Sequence, residues 1–272
     1  MPPMRQRRQG WPPRWRDWAE MALTLATIQP GAAEIFAAIQ GEGLSAGRPS
    51  VFVRLSRCNL ACQWCDTAYT WHFEGDNRAH KDGVAFTRNE NQVTLDEAEV
   101  AARIHAMGQD MPTHRLVITG GEPLLQGAAL ARMLAALRAM HDGWHVEVET
   151  NGTVAPHPAL DPLVHQYNVS PKLAHSGNPA DLALIPERLD AWTQDPRATF
   201  KFVIAAPQDA EQVHALAAVH TIPAHRIYLM PEGRDGPTVH TRMRWLAEIC
   251  LTHGYALTDR LHIHLSGDTR GT

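Results

Sequence analysis

The order of elements along the chain predicts an α/β fold, a partial, modified (β/α) barrel. Three observations point there. Strand-like and helix-like segments alternate from Glu34 onward, the pattern of a parallel sheet with right-handed crossovers. The most reactive-looking residues fall where strands end, which is where barrels of this kind place their sites. The length of 272 residues is large for one domain but ordinary for an α/β barrel. The repeating units suffice for a partial barrel rather than a closed eight-fold one.

Ser50–Leu55 (SVFVRL) reads as a buried strand, rich in β-branched and aromatic residues. Leu95–Met107 has apolar residues at helical spacing, opened by Thr94 with Glu97 three positions on, a capping-box pattern. Leu116–Thr119 is a second strand running into Gly120-Gly121. Ala128–Met140 is an amphipathic helix and Trp144–Glu149 a third strand. Tyr167–Ser170, Thr199–Ile204 and Arg226–Met230 are shorter strands, with a helix over Ala210–Val219 between the last two. Thr241–Thr252 is a helix closed near Gly254, and Leu261–Leu265 is expected to be a final strand carrying His262 and His264 in alternation. The polar, turn-rich run Phe73–Gln92 reads as an inserted loop. Residues 1–33 are set apart as an N-terminal extension and 34–272 as a single domain. Residues 1–20 are rich in Arg, Pro and Trp, unlike the remainder, and read as a disordered extension or the product of an upstream start codon, with Met21 as the biological start.

The formal charge of −4 argues against a nucleic-acid binder, which would carry a basic stripe, and no apolar run approaches a bilayer span. Small molecules or another protein are the expected partners. The four cysteines do not suggest a disulfide framework. Three of them, in Cys58-Asn-Leu-Ala-Cys62-Gln-Trp-Cys65, occupy eight residues directly after the first strand. Thiolates so grouped suit zinc or an iron–sulfur cluster, in a reducing, cytoplasmic setting. Structural zinc wants four ligands; the fourth cysteine, Cys250, sits on an apolar helical stripe and reads as core, which leaves one of the 16 histidines as the alternative fourth ligand. Thr119-Gly120-Gly121-Glu122-Pro123 follows the second strand; glycines there admit close backbone approach, and the exposed carbonyls and the Glu122 carboxylate can hold an ammonium group. Taken singly, this run is equally a plain strand-to-helix turn.

The C-x3-C-x2-C spacing with an aromatic residue before the last cysteine, followed by Gly-Gly-Glu-Pro, resembles the signature of the radical S-adenosylmethionine (SAM) superfamily. The resemblance implies a [4Fe-4S] cluster on Cys58, Cys62 and Cys65 whose open iron chelates SAM, and a 5′-deoxyadenosyl radical that abstracts hydrogen from substrate. Glu34-Ile-Phe-Ala-Ala-Ile-Gln-Gly-Glu-Gly43 before the loop, Arg54 in the strand, Asp66-Thr67 after it and Ser170-Pro171-Lys172 further on narrow the likeness. This ensemble resembles the 7-carboxy-7-deazaguanine synthase family, from Glu34 to about Leu265. That family converts 6-carboxy-5,6,7,8-tetrahydropterin to 7-carboxy-7-deazaguanine with loss of ammonia, using SAM as a reusable cofactor together with Mg²⁺.

The resemblance assigns roles residue by residue. Ile39, Gln40, Gly41, Glu42 and Thr119 would contact substrate, and Arg54 would meet its carboxylate or polar edge. Thr67 would ligate Mg²⁺, a hard cation suited to a hydroxyl. Trp64, Cys65, Asp66, Gly121, Glu122, Ser170, Pro171 and Lys172 would bind SAM, with Glu149-Thr150-Asn151 as further candidates. A flavodoxin or ferredoxin is the implied reductant and a homodimer the implied assembly. The C-terminal run Leu265–Thr272 departs from the family tail that closes the substrate pocket. The rival readings are a glycyl-radical-enzyme activating protein, with the same cysteine spacing but no use for Gln40–Glu42 or Thr67, and a non-catalytic zinc- or cluster-binding protein.

Overall fold

The computed structural model describes residues 22–112 and 114–272; the proposed tail at 1–20 and the start at Met21 lie outside them. Eleven strands form one open sheet: β1 Leu23–Gln29, β2 Ala32–Ala33, β3 Ile35–Ile39, β4 Pro49–Leu55, β5 Gln92–Leu95, β6 Arg115–Gly120, β7 His145–Thr150, β8 Gln166–Val169, β9 Ala198–Ile204, β10 Ile227–Pro231 and β11 Ala256–Leu257. Their order is β11-β10-β9-β8-β7-β6-β4-β1-β2, with β3 also on β4 and β5 also on β1. From β4 to β11 every neighbouring pair is parallel, as strand–helix alternation predicts, and the sheet is the open, partial barrel expected. Eight α-helices accompany it: α1 Arg88–Asn91, α2 Glu97–Gln109, α3 Gly127–Met140, α4 Ala180–Ala183, α5 Pro186–Gln194, α6 Pro207–His220, α7 Gly236–His253 and α8 Leu261–Ser266.

One apolar cluster joins the helices to the sheet, from Leu23 and Leu25 in β1 through Val53, Ile118 and Val148 to Leu246 and Cys250 in α7. Cys250 is thus a core residue, remote from the cysteine loop. β7 and β8 alternate: Val146, Val148, Tyr167 and Val169 enter this cluster, and Glu147, Glu149 and Asn168 point to the opposite, polar face.

Three expectations are corrected. Residues 23–33 belong to the fold: β1 pairs with β4 and β5, and Gln126 at the start of α3 clamps Thr24, accepting from its N–H at 2.8 Å and donating to its carbonyl at 3.0 Å. The helix expected to open at Thr94 is capped by Asp96, which accepts from Ala98 N–H, because Thr94 is held in β5 opposite Thr24. Leu261–Leu265 is a helical turn, not a strand. The sheet already ends at β11, and the chain crosses its mouth instead, where Leu261 N–H donates to Gly41 C=O; the strand-like alternation of Leu-His-Ile-His-Leu spans only five residues and is overridden by this placement. The insert Phe73–Gln92 is anchored at both ends, by a bridge between Phe73 and Phe86 and by α1 leading into β5.

Candidate functional site

The cysteine loop leaves β4 through Arg57, whose left-handed backbone (φ 79°) turns the chain sharply. Arg57 N–H donates to Thr70 C=O at 2.7 Å and its carbonyl accepts from Glu122 N–H at 2.8 Å, so the loop is pinned to the Gly-Gly turn after β6. Those glycines are required by this contact. A Cβ on Gly120 would lie 2.1 Å from Leu55 O, and one on Gly121 2.0 Å from Arg57 O. Sequence reasoning ascribed them to ligand approach; the structure shows that two chain segments meet there first.

Glu122 is fully buried. Its carboxylate accepts from Leu124 N–H (3.0 Å), Thr150 Oγ1–H (2.8 Å) and Asn151 N–H (2.7 Å). Burial pushes its pKa up and these donors oppose the shift. The side chain therefore ties β6 to β7 and is not among the residues that line the cavity, so the Glu122 carboxylate is committed to the scaffold where the sequence suggested it could hold an ammonium group.

Cys58, Cys62 and Cys65 carry free thiols and open onto one cavity of about 440 Å³. Burial pushes all three thiols up, Cys62 to about 11, which disfavours free thiolates and suits thiolates that are neutralised by a metal centre. Each sulfur has a polar side chain beside it. Asn151 Nδ2 lies 3.9 Å from Cys58 Sγ, Asn178 Nδ2 3.3 Å from Cys62 Sγ and Thr67 Oγ1 3.6 Å from Cys65 Sγ. Three thiols of one loop, Cys62 buried and Cys58 and Cys65 partly exposed to the cavity, each with a polar side chain beside its sulfur, fit an iron–sulfur cluster. A closed four-thiolate zinc site is not available, since Cys250 is in the core.

The wall nearest β3 and β9 is charged. Glu42 receives Lys201 Nζ from β9 and Arg260 Nε (3.2 Å), with His262 Nε2 at 3.8 Å. Burial alone would raise the Glu42 pKa, but Lys201, Arg260 and His262 hold it well below the usual carboxylate range. Arg260 also binds Asp66 and donates to Gly233 C=O, joining the Gln40–Gly43 segment to the end of the cysteine loop. The Gln40 amide is committed inward: Nε2 donates to Glu147 (3.0 Å) and Glu149 (3.2 Å), and Oε1 accepts from Glu42 N–H. Thr119 Oγ1–H donates to the second oxygen of Glu149 at 2.9 Å, so Glu149 is presented to the cavity in a fixed orientation. Arg54 is paired through Nε with the buried Glu34 at 2.8 Å, and Tyr69 OH donates to the same carboxylate. No hydrogen bond is made by the Arg54 terminal amino groups among the described residues, and the side chain lines the cavity.

On the far side, Lys172 Nζ donates to Ser170 Oγ at 2.9 Å and sits 5.7 Å from the centre of the Trp64 ring. The rim is built by the insert and the C-terminal run. His80 Nε2 is 2.8 Å from Cys65 C=O, and Arg234 bridges Asp82 and Asp268. Arg270 packs 3.6 Å from the centre of the Tyr69 ring and donates to Asn91. The tail that departs from the family pattern nonetheless borders the cavity.

Of the residues singled out in the sequence, Ile39, Gln40, Glu42, Arg54, the three loop cysteines, Trp64, Asp66, Thr67, Thr119, Gly121, Ser170 and Lys172 surround this one cavity. Gly41, Glu122 and Pro171 stand behind it. For Gly41 the reason is α8: a Cβ there would be 2.4 Å from His262 Nδ1. Lys201, Arg260, Glu147 and Asn178 were missed. Only Lys201 carried a signal, as a lone charge in the apolar run Phe200–Ile204 that would be costly to bury unpaired.

Comparison with known proteins agrees with this geometry. Residues 53–166 match the radical SAM superfamily. The 7-carboxy-7-deazaguanine synthase of Pyrobaculum aerophilum is 36% identical over 90% of this chain and 99% of its own. Those of Halobacterium salinarum and Rhodopirellula baltica are 33% and 30% identical, each over 88% of this chain. The crystal structure of QueE from Escherichia coli superposes with a TM-score of 0.62 over 92% of this chain and 99% of that one, at 24% identity, a likeness of fold. With its cysteine loop, its Gly-Gly turn and these relatives over nearly its full length, the chain belongs to the 7-carboxy-7-deazaguanine synthase family of radical SAM enzymes.

Proposed function

We infer that the protein is a radical SAM carbon–nitrogen lyase that converts 6-carboxy-5,6,7,8-tetrahydropterin to 7-carboxy-7-deazaguanine with loss of ammonia, in deazapurine biosynthesis. The observation that carries this is one cavity lined both by the three cysteine thiols and by the pre-oriented charged group of Glu42, Lys201, Arg260 and Glu149. When bound, the cluster and SAM supply hydrogen-atom abstraction; the chain supplies position and charge. Glu149, held by Thr119 and Gln40, offers a carboxylate to the N–H-rich edge of a pterin. The terminal amino groups of Arg54 suit the substrate carboxylate as a planar fork. Ser170, Lys172, Trp64 and the backbone of Gly121 and Glu122 suit SAM, with Pro171 shaping the turn. Thr67 Oγ1, which among the described residues makes one weak side-chain contact, to the Cys65 sulfur, suits Mg²⁺ beside Asp66, with Ile39 on the cavity wall and Gly41 behind it. A flavodoxin or ferredoxin would deliver the electron to a homodimer.

A glycyl-radical activating protein must admit a protein backbone, and the insert and tail meeting across the rim through Asp82, Arg234 and Asp268 favour a small substrate. The test is anaerobic incubation of the reconstituted enzyme with 6-carboxy-tetrahydropterin, SAM, dithionite and Mg²⁺, followed by mass spectrometry. The deazaguanine product is expected; SAM cleavage without it would overturn the substrate assignment.

A further inference from the structure

The loop between β8 and α4 reaches back to the cysteine loop, 116 residues earlier in the chain, and its contacts are specific. Gln63 N–H donates to Ser176 C=O at 2.9 Å. Gly177 turns in the left-handed region (φ 77°), and a Cβ there would lie 2.6 Å from the Gln63 side chain. Asn178 follows. Its Oδ1 accepts from Ala61 N–H at 2.8 Å, and its Nδ2 lies 3.1 Å from Ser176 Oγ and 3.3 Å from Cys62 Sγ. The Ala61 N–H can only donate, so it fixes which end of the amide is oxygen. The other end, an N–H₂, is thereby turned toward the sulfur.

The surroundings make this contact consequential. Cys62 and Ser176 are buried and Asn178 is half-buried, and the two hydrogens of its amide serve Ser176 Oγ and the Cys62 sulfur. Ligand sulfurs gain negative charge when a cluster is reduced, and a hydrogen bond to sulfur favours the reduced form; hydrogen bonds and burial are two levers by which a protein sets cluster potential. Asn151 near Cys58 is a longer contact at 3.9 Å, and its Nδ2 also donates to Asn59 Oδ1 at 2.9 Å. The Asn178 contact is shorter than those of Asn151 with Cys58 and of Thr67 with Cys65 (3.6 Å).

We propose that Asn178 is a positioning residue that raises the reduction potential of the cluster through an amide N–H donated to Cys62 Sγ. It does not touch substrate; it acts through the ligand. The proposal rests on the cluster assignment made above.

Asn178→Asp keeps the size and the acceptor for Ala61 N–H, removes the donor and adds a negative charge, so it should lower the potential most. Asn178→Ala removes the donor without adding a charge and is the second variant, which separates the lost hydrogen bond from the added charge. Each is purified anaerobically and reconstituted beside the wild type, with iron and sulfide counted and the potential read from an EPR-monitored redox titration. The expected result is a full cluster in both variants and a lower potential, by about a tenfold change in the reduction equilibrium, or about 59 mV for one electron. An unchanged potential in a fully loaded Asn178→Asp protein would overturn the proposal. Loss of cluster from both variants would also overturn it, since Asn178 would then serve loop construction rather than tuning. A wild type that holds no cluster would instead defeat the radical SAM reading itself.

Discussion

Glu42→Gln removes the carboxylate on which two buried cations converge. The Lys201, Arg260 and Glu42 side chains are 7%, 6% and 13% exposed, so the pair is little screened. Breaking a buried pair by deleting one partner costs about 3–5 kcal/mol. Here Lys201 keeps Glu149 at 3.7 Å and Arg260 keeps Asp66 and Gly233 C=O, so the lower end, about 3 kcal/mol, is expected. Lys201→Met should cost a similar amount, and the double variant less than the sum, with a coupling of about 1–3 kcal/mol. Urea unfolding midpoints at neutral pH measure all three. The pH dependence has a definite sign. The folded pKa of Glu42 is held below its ordinary value of 4.5, so its stabilisation is present above that value and is lost as pH falls through it. The gap between wild type and Glu42→Gln should therefore narrow below about pH 4.5. A gap under about 1 kcal/mol at neutral pH, the range of a surface pair, or one that does not change on acidification, would refute the reasoning.

Alanine at Cys58, Cys62 or Cys65 should abolish the reduced-cluster EPR signal and SAM cleavage, whereas Cys250→Ala should leave both intact and lower stability by about 1 kcal/mol through a lost core contact. Gly121→Ala places a Cβ 2.0 Å from Arg57 O and should displace the cysteine loop, read as a loss of iron per chain after reconstitution. Thr67→Val should abolish the response of the rate to Mg²⁺ while cluster content and SAM binding persist, and Thr67→Ser should keep most of it; a Mg²⁺-responsive valine variant would remove Thr67 from the metal site.

What could be read in the sequence was what is contiguous. The three thiols, Gly120-Gly121 and the Gln40–Glu42 segment each lie in one short run, and parallel strand order then brings the runs together. The partners that fix them are distant: Lys201 meets Glu42 across 159 residues and Arg260 across 218. No local periodicity encodes such a meeting, because it depends on β9 standing two strands from β7 and on the last residues crossing the sheet's mouth. Glu122 was misjudged for a related reason. Its own neighbourhood suggests a turn open to ligand, and only the placement of Thr150 and Asn151 at the end of β7 shows where the carboxylate goes. The N-terminal boundary was drawn where recognisable strand–helix alternation begins at Glu34, yet Leu23 and Leu25 are wholly buried because β4 and β5 flank them. The final helix was read as a strand from five residues whose conformation is set by Gly41 rather than by their own pattern.

The most direct test of the central claim is the ratio of product to SAM in an anaerobic reaction with limiting SAM, excess 6-carboxy-tetrahydropterin and dithionite. A lyase that reuses its cofactor should form 7-carboxy-7-deazaguanine well in excess of the SAM supplied, with one ammonia released per product and SAM recovered intact. Absence of the deazaguanine in an enzyme that holds its cluster and cleaves SAM would contradict the account.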